Sequence, residues 1–152
     1  MRRAVPATTW FEEGRALERS DVAGAMAAYR RAVAGLPDLA DAHCNLGRLL
    51  HDAGELAAAE GHYRLAACGA PGLALHWFNL GVVVEDRGRI AEAIAHYEHA
   101  IALDVELADA HYNLARLFET IGRRGDAVGE LRRAIRHLQQ YKAIVRPRRR
   151  RS

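Results

Sequence analysis

The chain has 152 residues, 50% of them apolar and 27% charged, with a formal net charge of +3. That is the composition of an ordinary soluble globular protein, and the length leaves no room for a second large domain. Arg2 and Arg3 are not followed by an apolar run, so neither a signal peptide nor a membrane span is expected. Five of the 22 basic residues fall in 146–152, so residues 1–145 carry 17 Lys plus Arg against 19 Asp plus Glu, a balance of 17 − 19 = −2. The basic character therefore belongs to the tail, which argues against a nucleic-acid-binding body. Cys44 and Cys68 lie 24 apart with no C-x-x-C. Free thiols in a reducing, cytoplasmic compartment are the expectation.

In chain order, Met1–Thr8 reads as a frayed, disordered leader. A degenerate unit follows over 9–39, with Trp10 and Gly14 on a first helix and Ala25, Tyr29, Ala32 and Pro37 on a second. Its connection, Glu18–Ser20, is one residue short of the later ones. From Ala40 the chain repeats itself every 34 residues: 40–73, 74–107 and 108–138 align without insertion. Such a period decides the architecture before any single residue does.

Within 74–107, Trp77, Leu80, Gly81 and Val84 recur at helical spacing, and Gly88 ends that helix. Ala93, Tyr97, Ala100 and Ile101 form the stripe of a second helix. Small residues at 81, 93 and 100 allow close approach, with Tyr97 filling the remaining gap. Helices are predicted over 40–53 and 56–69, 74–87 and 90–103, and 108–121 and 124 onward. Gly54, Gly88 and Gly122 take the same inter-helix turn. One hairpin cannot bury its own apolar face, so the units must stack. Leu131, Ile135, Leu138, Tyr141 and Val145 keep helical spacing beyond the last repeat. They predict an extended capping helix to about 145, then a disordered basic tail, Arg146–Ser152.

The unit resembles the tetratricopeptide repeat (TPR), whose pattern is W-x2-L-G-x2-Y, then A-x3-F, then P. It is met here by Trp77, Leu80, Gly81, Val84, Ala93 and Tyr97. The preceding copy has His43, Leu46, Gly47, Leu50, Ala59, Tyr63, Ala66 and Pro71, and the following one His111, Leu114, Ala115, Phe118, Ala127, Leu131 and Ala134. The resemblance covers about nine-tenths of the chain. It implies an all-α fold: a right-handed α-solenoid of about four TPR helical hairpins, with first helices lining a concave side. It also implies a scaffold that holds other proteins.

On that concave side Asn45, Asn79 and Asn113 recur at the full repeat, with Glu12 in the first unit. An amide can pair with both N–H and C=O of an extended peptide. The row resembles the asparagine ladder in the repeat region of O-linked N-acetylglucosamine transferases. A second reading stays open, in which these amides serve helix packing. Phe11, Cys44, Phe78 and Tyr112 precede the row and are candidate anchors. Arg15, Arg48 and Arg116 follow it, Val82 standing in for arginine once, and then come Glu18, His51, Glu85 and Glu119. The arginines suit a carboxylate or phosphate, or else pair with acids of their own helices. Chaperone adaptors of this family hold a C-terminal carboxylate with a Lys and Asn set; Phe11 and Arg15 stand in its place here, so that specificity is not implied.

The eight histidines read as surface or packing residues, His43 and His111 occupying the position of Trp77. No nucleophile elbow, phosphate loop or paired general acid and base is visible, and no enzyme activity, cofactor or metal is expected. The sequence points to a protein–protein interaction scaffold that binds an extended peptide in its concave groove. The alternative is a regulatory TPR module, or the remnant of a longer DNA-binding regulator or enzyme, with weak nucleic-acid contact through the arginine tail.

Overall fold

The computed structural model describes residues 4–146. Among them are eight α-helices and no strand: α1 (Ala7–Leu17), α2 (Val22–Gly35), α3 (Ala40–Asp52), α4 (Leu56–Gly69), α5 (Ala74–Asp86), α6 (Ile90–Leu103), α7 (Ala108–Gly125) and α8 (Val128–Val145). They form four hairpins stacked into a solenoid. Substantial packing runs only between helices consecutive in the chain.

A tyrosine and a glycine set the spacing within each of the first three hairpins. Tyr29, Tyr63 and Tyr97 are buried, and a methyl group at Gly14, Gly47 or Gly81 would come within 2.6, 2.9 or 2.7 Å of the corresponding ring. The ring therefore lies directly on backbone, and the helices approach as closely as an aromatic ring permits. Ala25, Ala59 and Ala93, fully buried, complete the contact. Gly54 and Gly88 end α3 and α5 with φ of +81°, a conformation that glycine adopts without steric cost. The short first connection has no such glycine; Asp21 caps α2 instead, accepting the Gly24 N–H at 2.8 Å.

Two boundaries depart from the sequence expectation. Helix α1 starts at Ala7, inside the stretch read as a leader, because the Pro6 carbonyl accepts from the N–H groups of Thr9 and Trp10. Ala7 also packs against the end of α2, where it would meet a methyl on Gly35 at 3.2 Å. In the fourth hairpin Gly122 is not the turn. It lies buried inside α7, which runs about one turn further, and the chain reverses at Asp126 with φ 49°. Ala127 thus leaves the helix contact and becomes the residue before α8. The physical reason is Leu131: it replaces the tyrosine, and its side chain packs on Gly122. Helix α8 does run on to Val145, as expected. Of the tail, only Arg146 falls within the described residues.

The histidines fasten the repeats together. Trp77 Nε1 donates to the Pro71 carbonyl at 2.8 Å, and His43 and His111 make the same bond through Nε2 to Pro37 and Val105 at 2.8 and 2.9 Å. Tryptophan and histidine interchange here because both carry a ring N–H to the loop carbonyl six residues back. With Nε2 donating, Nδ1 of each histidine accepts from His62 or His137, at 3.0 and 3.1 Å. His62 and His96 are half-buried packing residues; His96 lies against the Trp77 ring.

Candidate functional site

The polar rows along the first helices are built into the joints between hairpins. At the first joint the Tyr29 hydroxyl donates to Glu18 at 2.5 Å, Asn45 Nδ2 donates to that hydroxyl at 3.1 Å, and Arg48 reaches the other Glu18 oxygen at 2.5 Å. The third joint repeats the arrangement. Tyr97 donates to Glu85 at 2.8 Å, Arg116 pairs with the same carboxylate, and Asn113 stands beside Tyr97. Burial, reinforced by the neighbouring carboxylate, pushes both phenols well above the usual tyrosine range, so they remain donors.

The middle joint is different. His51 stands where the glutamates stand, and Val82 where the arginines stand. His51 turns to Asp86 at 2.6 Å, and Asn79 Nδ2 points to the Cys44 sulfur at 3.4 Å. Arg48 and Arg116 thus take their partners chiefly from the preceding hairpin, not from their own helices. A second ionic joint ties α4 to the turn between α5 and α6. Glu60, 5% exposed, holds Arg89 at 2.5 Å, Arg64 at 2.8 Å and Arg87. The Arg89 hydrogen bond leads in drawing its carboxyl down to about 2, with Arg64 and Arg87 adding to it against the cost of burial.

A groove of about 660 Å³ opens beside these rows. It collects Phe11 and Arg15 from α1 with Asp41, Cys44 and Asn45 from α3. The start of α5 and the end of α6 complete it with Leu73, Leu75 and Leu103. Those three leucines are 51%, 55% and 42% exposed, and the repeat pattern did not single them out. They stand at the ends of repeats: Leu73 is the residue before α5, Leu75 lies in its first turn, and Leu103 is the last residue of α6. The Asn45 amide keeps one N–H and its carbonyl beyond the bond to Tyr29. Phe78 packs half-buried on Tyr97, with ring centres 5.6 Å apart. Tyr112 is 48% exposed and lies with Arg116 along a second groove, between α7 and α8. Arg15 pairs with Glu12 at 3.4 Å, both well exposed. Burial raises the Cys44 thiol, and Cys68 is exposed; both are free. No helix of the described residues is long and apolar enough to cross a membrane.

Comparison with known proteins agrees with this geometry. A tetratricopeptide repeat family model matches residues 15–74, and a second, described as TPR repeat, matches residues 86–122. The chain belongs to the tetratricopeptide repeat family. Repeats of this family generally mediate protein–protein interaction, and its members are typically scaffolds rather than enzymes. Among solved structures, the fold is similar to a crystal structure of MamA, with TM-score 0.79 and 23% identity over 91% of this chain and 72% of that one. MamA 41-end from Desulfovibrio magneticus RS-1 gives TM-score 0.76 and 19% identity, over 91% and 75%. The first TPR of Spaghetti (RPAP3), bound to the HSP90 peptide SRMEEVD, gives 0.72 and 17%, over 76% and 93%. No curated protein sequence matches the chain.

Proposed function

We propose that this protein is an interaction scaffold that holds an extended segment of a partner along its first helices. The observation that carries the reading is the groove of about 660 Å³, where exposed leucines flank Asn45 and Arg15. Leucines at 73, 75 and 103 supply apolar contact, and the free half of the Asn45 amide supplies a backbone partner. Asn79 and Asn113 continue the row. Among the described residues Arg15 meets only Glu12 of its own helix, at 3.4 Å, whereas Arg48 and Arg116 reach glutamates of another hairpin, which favours an acidic residue in the ligand. The structure of the RPAP3 repeat with its peptide is a precedent for ligand class in the fold, and it gives no partner for this chain.

The test is selection of displayed random peptides on the wild-type protein, followed by titration of Leu75→Asp and of the Asn45/Asn79/Asn113→Ala variant. Each amide pair to a bound backbone contributes about 0.5–1.5 kcal/mol, so the triple variant should lose about 1.5–4.5 kcal/mol of affinity. Melting of the same variant should fall modestly, because Asn45 also bonds Tyr29. Unchanged affinity per folded molecule in both variants would overturn the proposal.

A further inference from the structure

A different surface, at the C-terminal end of the solenoid, carries its own inference. Between α7 and α8 lies a groove of about 440 Å³. Ala115, Leu131, Ala134, Ile135 and Leu138 form its floor and wall, and Tyr112, Arg116, Glu119 and Arg123 its rim. Ile135 is 55% exposed and Leu138 37%. In the first and third hairpins the corresponding face is covered by the first helix of the next hairpin. That helix brings an arginine onto the glutamate, Arg48 onto Glu18 and Arg116 onto Glu85, whose side chains are left 23% and 15% exposed. Glu119 holds the same position in the fourth hairpin. It is 50% exposed and meets only Arg123 of its own helix, at 2.6 Å, among the described residues.

We infer that this end groove receives an amphipathic α-helix of a partner protein, which presents an arginine or lysine to Glu119 and an apolar stripe to Leu131, Ile135 and Leu138. The two internal joints define what such an occupant looks like. Helix α3 places Ala42, Asn45, Arg48 and Leu49, and α7 places Ala110, Asn113, Arg116 and Leu117, at the same repeat positions. Ala42, Leu49, Ala110 and Leu117 are buried. The end groove continues that interface and keeps its charge complementarity. The first helix of a second copy of this chain fits poorly. Helix α1 carries Thr9, Glu12, Arg15 and Ala16 at these positions; it keeps the arginine but has a carboxylate where the joints use an amide and a methyl where they use leucine. It would set Glu12 near Glu119.

The probe is a fluorescein-labelled synthetic peptide with the sequence of residues 108–125, the helix that docks at the third joint. It is titrated with the full chain and followed by anisotropy, with amide-shift mapping of the contact. Binding should map to α7 and α8. Ile135→Asp and Glu119→Arg, both at exposed positions and checked for unchanged circular dichroism, should each weaken binding at least about tenfold, roughly 1.4 kcal/mol. The Glu119→Arg protein should regain binding for a peptide in which the residue matching Arg116 is glutamate. Absence of binding, binding mapped to the α1–α3 groove, or affinity indifferent to both substitutions would overturn the inference. So would a wild-type dimer in sedimentation that Ile135→Asp dissociates, since the face would then belong to a second copy.

Discussion

The first three hairpins and the fourth are built from the same repeat, yet they close differently. In the first three, a tyrosine ring lies on a glycine and the following hairpin covers the face. In the fourth, leucine replaces tyrosine, the turn moves about one helical turn along the chain, and α8 keeps one buried residue, Ala134. Helix spacing in this array is therefore not a property of the backbone period. It is set by the ring, and without the ring the two helices slide until another small residue, Gly122, meets another side chain.

The largest expected effect is at that ring. Tyr97→Ala removes a fully buried aromatic side chain and should destabilise the protein by about 3–5 kcal/mol in urea denaturation. Leu131→Ala, at the matching repeat position, should cost clearly less because Leu131 is only half-buried. Equal losses would erase the distinction between the hairpins. Gly81→Leu should cost about 1–3 kcal/mol by forcing the Tyr97 ring off the backbone. Ala115→Leu, at a buried position that borders the open groove, should cost less than Gly81→Leu because part of the larger side chain can grow into that space.

A third effect tracks pH. Burial, then the neighbouring His111, Arg133 and Arg136, lowers His137 to about 4, and burial likewise lowers His62 beside His43 and Arg30. The unfolded chain, with histidines near 6.5, binds more protons than the folded one between these values. The contribution of His137 is thus fully present above about pH 6.5. It is lost progressively as pH falls through that value toward about 4, where the folded histidine also protonates. The melting temperature should drop between pH 7 and pH 5, and His137→Gln should flatten the decline. The smallest effect sharpens the joints: a double-mutant cycle on Glu85 and Arg116 should give a coupling of about 0.2–1 kcal/mol, since Arg116 remains 45% exposed. Placing glutamate at His51 and arginine at Val82 should add a coupling of similar size to the middle joint.

Much of this was legible before any coordinates. The glycines at 54 and 88 and the 34-residue period predict α3 to α6 within a residue of their ends. The fourth hairpin was less legible, because Gly122 keeps its place in the repeat while the tyrosine that would hold the register does not. Gly125 and Asp126 then offer a competing turn, aspartate being one of the few side chains that tolerate a left-handed backbone. The partners of the arginines were hidden for a different reason: Arg48 lies 30 residues from Glu18, and Arg116 lies 31 from Glu85. One trace of them is visible in the chain itself. The joint that has histidine in the acidic position is also the joint that has valine in the basic one. Leu75 and Leu103 left no such trace, because the equivalent positions hold Asp41 and Asp109, and Gly69 and His137, so neither leucine recurs with the repeat.

Packing confined to consecutive helices has a consequence for how the molecule comes apart. Cooperativity here passes only from neighbour to neighbour, like a row of coupled spins, so a domain of this size need not melt as one unit. Helix α8 lies at one end with little buried surface, and its amides should exchange with solvent through partial opening that leaves α3 to α6 intact. Short sequence separation between packed helices also keeps loop-closure entropy low, which favours rapid folding from any interior hairpin outward. A helix docked on the α7–α8 groove would then act on the whole array by clamping its loosest end, slowing the opening from which unfolding spreads.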